Sequence, residues 1–149
     1  MVTYVCRPFS ELTVYQLHDL LRLRCDVFVV EQACVYPDID GQDPHSRHLL
    51  GYAGGRLELC CRWYEESQGE DGGSVVLGRI VTSSRCRGQG LGAQLMREAL
   101  ERIGPRRVVL SAQAHLEGFY RRFGFNARGE PYDDAGIPHV DMVRPAPPA

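Results

Sequence analysis

The period of the apolar positions changes several times along the chain, and each change marks an element. Thr3 to Arg7 predicts a short first strand, after which the spacing lengthens. Leu17, Leu20, Leu21 and Phe28 fall on one side of a helix that Ser10 or Thr13 can cap, and Thr13 with Gln16 has capping-box spacing. Pro37 and the run Asp38-Ile39-Asp40-Gly41-Gln42-Asp43-Pro44 end the helical character and predict a polar loop. From Arg47 the pattern is that of a hairpin: Leu49 to Ala53, a Gly54-Gly55 turn, then a returning strand through Trp63. Leu57, Leu59, Cys61 and Trp63 are expected on one face of it. Glu65 to Gly73 is polar and reads as an exposed, mobile hairpin tip before an apolar strand that reaches Thr82.

The second half alternates between strand and helix. Leu91, Leu95, Ala99, Leu100 and Ile103 form a helical stripe closed by Gly104-Pro105, and Val108-Val109-Leu110 has the pattern of a buried strand. These pieces predict a right-handed strand-helix-strand crossover. A further helix is expected over Leu116 to Phe123, ending at Gly124, and two short strands around Tyr132 to Met142. Pro145 to Ala149 reads as a flexible tail. The class is therefore α/β, with one mixed sheet flanked by helices.

A length of 149 residues with 44% apolar content suits one domain spanning residues 1–149. Six scattered cysteines, with no basic-then-apolar leader, suggest a reducing cytoplasm. No apolar run approaches the roughly 20 residues of a spanning helix, so no membrane partner is expected. A net charge of -2 with dispersed arginines offers nucleic acid no basic face. The chain has no lysine, which removes Schiff-base chemistry, and no Gly-x-Ser-x-Gly elbow. Asp38, Asp40, Asp43, His45 and His48 lie close together, but the twelfth position from Asp38 is Leu49, where a calcium loop needs glutamate. With no paired cysteine site either, no metal is expected.

The segment Arg87-Gly88-Gln89-Gly90-Leu91-Gly92 joins the apolar run Val75–Val81 to the helical stripe. Glycines there allow a sharp turn and close approach, while unpaired N–H groups of the first helical turn face outward, a natural seat for phosphate. A nucleotide-hydrolase loop needs lysine, and a dinucleotide unit places its glycine turn after the first strand. The pattern of arginine or glutamine, two residues, Gly, one residue, then Gly or Ala is matched by Arg87, Gly90 and Gly92. Ala112 to Leu116 and Phe119 to Phe125 match a second cofactor segment. Arg24 to Gln32 and Gly136 to His139 extend the likeness to nearly the whole chain. On these segments the sequence resembles the GNAT N-acetyltransferases, in their ElaA-like branch.

The resemblance implies a GNAT-like fold, with a mostly antiparallel sheet of about six to seven strands splayed in a V and about four helices. The strands ending near Thr82 and Ser111 would part to admit the pantetheine arm of acetyl-coenzyme A. Main-chain groups of Ile80, Val81 and Thr82 would hold that arm, and Arg87, Gly88, Gln89, Gly90, Leu91 and Gly92 the pyrophosphate. Gln113, where many members carry asparagine, together with Phe119, Tyr120 and Phe123, would complete the cofactor side. Tyr120 matches the family tyrosine that protonates or hydrogen-bonds the leaving sulfur, although its helical stripe also suits a core tyrosine. Glu31, His115 and His139 are rival bases for the incoming amine, and Glu31 suits a solvated helix end equally well.

The implied activity is transfer of an acetyl group from acetyl-coenzyme A to a primary amine by direct attack in a ternary complex, with Cys86 structural. The alternative is a non-catalytic acyl-coenzyme A sensor or interaction domain; a hydrolase ranks third, for want of a water-activating group. The loop from Asp38 is expected over the acceptor site, and with Asp133 and Asp134 it would favour a basic acceptor. The chain would work as a monomer or homodimer.

Overall fold

Thr13 opens the first helix in the way its spacing requires. Its hydroxyl accepts from Gln16 N at 3.0 Å, and the Gln16 side chain accepts from Thr13 N at 2.9 Å. A cap of this kind contributes about 1 kcal/mol. The computed structural model describes residues 1–66 and 73–148, so most of the expected tip between Glu65 and Gly73 lies outside the described residues. In chain order the elements are β1 (Thr3–Pro8), α1 (Val14–Arg24), β2 (Arg47–Ala53), β3 (Arg56–Glu66), β4 (Ser74–Thr82), α2 (Leu91–Ile103), β5 (Val108–Gln113), α3 (Glu117–Arg121), β6 (Asn126–Asp134) and β7 (Ile137–Arg144).

The strands form one sheet in the order β1-β2-β3-β4-β5-β7-β6. Only β4 and β5, joined through α2, run parallel; the other neighbours are antiparallel. The described residues hold three α-helices rather than about four. The first helical region continues past Arg24 as a π-helical stretch, Cys25–Glu31, instead of starting a new helix. α3 is also shorter than its apolar stripe suggested, because a 3-10 turn, Ala114–Leu116, takes its first residues.

The sheet separates two cores. Leu95, Met96 and Ala99 of α2 are fully buried against Leu49, Leu59, Val75, Val108 and Met142. On the opposite face α1 places Leu20 and Leu23 against Leu50, Leu57, Cys60 and Val81. Leu57 therefore does not share a face with Leu59, Cys61 and Trp63 as expected. The register slips between Gly51↔Leu59 and Tyr52↔Leu57, leaving Glu58 as an extra residue in β3 and reversing the alternation before it.

Candidate active-site cleft

β4 and β5 pair only at Val75↔Val108 and Val76↔Val109, then part company. A cleft of about 550 Å³ opens between them. Ile80, Val81, Thr82, Arg87 and Gly92 line it from β4 and the turn that follows; Ser111, Gln113, His115, Phe119 and Tyr120 line it from β5 and the segment after it; Glu31, Tyr36, Asp134 and His139 complete the lining. Gly88, Gln89 and Gly90 stand outside the lining as the exposed turn that leads to it. Leu91 and Phe123 are likewise behind the wall, packed against the α2-side core. Phe123 meets Phe119 edge-on at 5.3 Å, so it supports a lining residue.

The glycine turn has the geometry an anion needs. Gly88 and Gly90 hold φ values of +76° and +75°, and no side chain caps α2, which leaves its first amides free for a ligand. Gly92 is different: its φ is ordinary, and an added Cβ would meet Thr82 Oγ1 at 3.7 Å and Phe119 at 3.9 Å. Both are ordinary van der Waals distances, so this position tolerates a small side chain. Sequence reasoning missed the anchor of this turn, which is the bulged and buried Glu58. Ser83 N donates to the Glu58 carbonyl at 2.8 Å, the Ser83 hydroxyl donates to its carboxylate, and Arg85 Nε approaches it at 3.3 Å. Burial works against that charge, but these donors outweigh it and hold the carboxyl below its usual range.

Arg87 points across the mouth of the cleft. Its Nη1 lies 2.6 Å from Glu31 Oε2, and its Nε and Nη2 donate to the Thr82 carbonyl at 3.3 and 3.2 Å. Glu31 thus sits at the cleft, but its carboxylate is engaged by the arginine of the glycine turn. His115 is an exposed lining residue. His139 is more constrained, because its Nδ1 lies 2.7 Å from the Ile137 carbonyl and its ring stacks on Tyr132. A carbonyl can only accept, so Nδ1 is the donor in this contact, and in the neutral imidazole the lone pair falls on Nε2.

Tyr120 is 6% exposed and packs edge-on against Phe119 and Phe125. It belongs to the α2-side core and also lines the cleft. Its hydroxyl makes no hydrogen bond to a described residue. Burial, with Cys61 nearby, pushes its phenol well above the ordinary range, so it stays protonated and able to donate.

The acidic loop does not offer its charge to a substrate. Asp38 accepts from Arg24 Nε at 2.9 Å, Asp40 from Arg62 Nη2 at 2.6 Å, and Asp43 from Arg24 and Arg62 at 2.7 and 2.8 Å. Arg79 adds a third guanidinium. Burial raises Asp43, yet the two arginines outweigh it and hold its carboxyl low; Arg62 holds Asp40 low despite partial burial. His48 donates into the same cluster through Asp43 O, and burial keeps it neutral. Cys34, ahead of the loop, meets the β6–β7 turn, its Sγ approaching the Ala135 carbonyl at 3.6 Å. Of the acidic residues named for an acceptor field, Asp134 alone lines the cleft.

Comparison with known proteins agrees with this geometry. The acetyltransferase (GNAT) domain family matches residues 63–145. Protein ElaA of Escherichia coli is 45% identical over 141 residues, 91% of each chain. The crystal structure of that ElaA superposes with a TM-score of 0.89 at 42% identity, over 97% of this chain and 99% of the other. The crystal structure of an acyl-CoA N-acyltransferase from Pseudomonas aeruginosa does so with a TM-score of 0.89 at 43% identity, over the same shares. The chain therefore belongs to the GNAT acetyltransferase family, in its ElaA-like branch, and is an acyltransferase that draws on acyl-coenzyme A.

Proposed function

We propose that the protein transfers an acetyl group from acetyl-coenzyme A to a primary amine, by direct attack while both substrates are bound. The observation that carries this reading is the splayed β4–β5 cleft, with an uncapped helix start and glycine turn at its mouth and an unpartnered Tyr120 hydroxyl in its wall. The donor supplies the activated thioester; the remaining tasks fall to side chains and amides of this chain. Amides at the start of α2 bind phosphate, and main-chain groups of Ile80, Val81 and Thr82 face the donor arm. Tyr120 donates a hydrogen bond to the departing sulfur. That role is electrostatic rather than full proton transfer, because the departing thiolate, whose conjugate acid has a pKa near 8.5, is a weaker base than a phenolate near 10, a gap that burial widens.

His139 is the base this geometry favours, since its proton is fixed on Nδ1 and Nε2 can accept one from the amine. Glu31, held by Arg87, and exposed His115 are weaker candidates. A sensor without catalysis would have no use for a hydroxyl left unbonded in the cleft wall. The reading takes residues 1–149 as one domain acting in the cytoplasm; the single continuous sheet supports the one-domain part, and the described residues hold no helix long and apolar enough to cross a membrane.

Thiol release from acetyl-coenzyme A, followed with a panel of primary amines, tests the proposal. Amine-dependent release is expected. Release that ignores the amine would replace transfer by hydrolysis, and donor binding without release would favour the sensor.

A further inference from the structure

Arg79 occupies a backbone position that ordinarily suits glycine. Between Gly78↔Arg62 and Val81↔Cys60, two residues of β4 stand opposite one of β3. Bulges of this kind bend the strand and often place a left-handed glycine at the extra position. Here the left-handed residue is an arginine with φ of +49°, directly after Gly78. An arginine held in a conformation that disfavours side chains points to a task glycine cannot perform.

The contacts identify that task. Arg79 Nη2 donates to the Asp38 carbonyl at 3.0 Å and to Asp40 Oδ2 at 3.2 Å. Its Nε lies 2.9 Å from Asp38 Oδ1, close enough for charge attraction but without hydrogen-bond alignment. The guanidinium sits 5.5 Å from the Tyr36 ring centroid, and the Tyr36 hydroxyl donates to Asp38 Oδ1 at 2.9 Å. Behind them, buried Arg24 fixes Asp38 through both its carboxylate and its carbonyl. The next three residues of β4 after Arg79 are Ile80, Val81 and Thr82, which line the cleft.

We infer that Arg79 is a positioning residue for the acyl donor, clamped by Asp38, Asp40 and Tyr36 so that β4 keeps its bulge and presents residues 80–82 to the cleft. The inference rests on the acyltransferase reading of that cleft. Released from the clamp, the strand is free to drift from the course that holds the groove open. Donor affinity is then lost while the fold persists, because Arg79 itself belongs to neither core.

Calorimetric titration of coenzyme A into wild type, Arg79→Gly, Asp38→Asn and Arg79→Lys tests this, at a temperature where each protein is fully folded by circular dichroism. Glycine accepts the left-handed backbone, so Arg79→Gly removes the clamp without adding strain. Donor affinity is expected to fall about tenfold or more in Arg79→Gly and Asp38→Asn, with partial recovery in Arg79→Lys. The double variant Arg79→Gly with Asp38→Asn should lose little beyond the larger single loss, as for residues acting in one unit. Wild-type affinity in folded Arg79→Gly would overturn the clamp. Should that variant not fold, Asp38→Asn and Asp40→Asn decide in the same way, unchanged affinity in both being the refuting result. Failure of wild type to bind coenzyme A would instead overturn the acyltransferase reading itself.

Discussion

Replacing Tyr120 by phenylalanine separates catalysis from stability, because the structure assigns its ring and its hydroxyl to different tasks. The ring is buried against Phe119 and Phe125 at centroid distances of 5.1 and 6.3 Å, contacts that phenylalanine retains. The hydroxyl has no partner in the described protein. Burying an unpaired hydroxyl costs about 1–3 kcal/mol in mutational data, and access to the cleft reduces the penalty, so its removal should leave stability unchanged or raise it by up to about 1 kcal/mol. For a chain of this size that is a rise in Tm of roughly 0–4 °C. Activity should move the other way. A positioned acid contributes about 10²- to 10⁴-fold, and a hydrogen bond without full proton transfer belongs at the low end. The expected loss in kcat is thus about 10²-fold, or roughly 2.7 kcal/mol. Thermal unfolding and thiol release measured on the same preparation check both halves. A kcat within about threefold of wild type would remove Tyr120 from the mechanism. A Tm lowered by more than about 4 °C would mean that the hydroxyl serves the fold.

Three further outcomes follow from the same geometry. Glu31→Gln breaks a half-exposed pair with Arg87, worth at most about 1 kcal/mol, so stability should hold and kcat should stay within about tenfold; a loss near 10³-fold would restore Glu31 as the base. His139→Gln should lower kcat about 10²-fold, whereas a kcat within about threefold of wild type would assign the base elsewhere. Acid should destabilise the protein through Asp40 and Asp43, whose carboxyls are held low when folded. Their contribution is present above the unfolded carboxylate pKa of about 4 and is lost as pH falls below it towards the folded values. Unfolding midpoints followed from pH 6 to pH 2 should therefore fall, and less steeply in Asp40→Asn than in wild type; equal slopes would contradict the pairing.

What could be foreseen from the sequence depended on how far each residue's partners lie along the chain. The Thr13 cap, the Gly54-Gly55 turn and the glycine turn before α2 are local, with conformations set by a few consecutive residues. Gly54, Gly55, Gly88 and Gly90 all adopt the positive φ that their positions imply. The splay between β4 and β5 followed from family resemblance, since no periodicity encodes where two strands part. The acidic loop was misread because its partners are remote: Arg24, Arg62 and Arg79 come from a helix and two strands, and spacing alone made Asp38 to Asp43 look like free charge. The misplaced face of Leu57 has a comparable origin. A single extra residue, Glu58, reverses strand alternation, and its stabilising partners Ser83 and Arg85 lie 25 and 27 residues away. Arg79 left no trace in the apolar pattern, because a left-handed arginine is selected by contacts rather than by propensity.

The central claim is that the cleft and its glycine turn bind an acyl-coenzyme A donor. Calorimetric titration of coenzyme A and acetyl-coenzyme A into wild type and Gly90→Val tests it most directly, since β-branched valine is strained at φ of +75°. The account predicts saturable one-to-one binding of both ligands to wild type and its loss in a folded Gly90→Val. Absence of binding to wild type, or equal affinity in the valine variant, would contradict it.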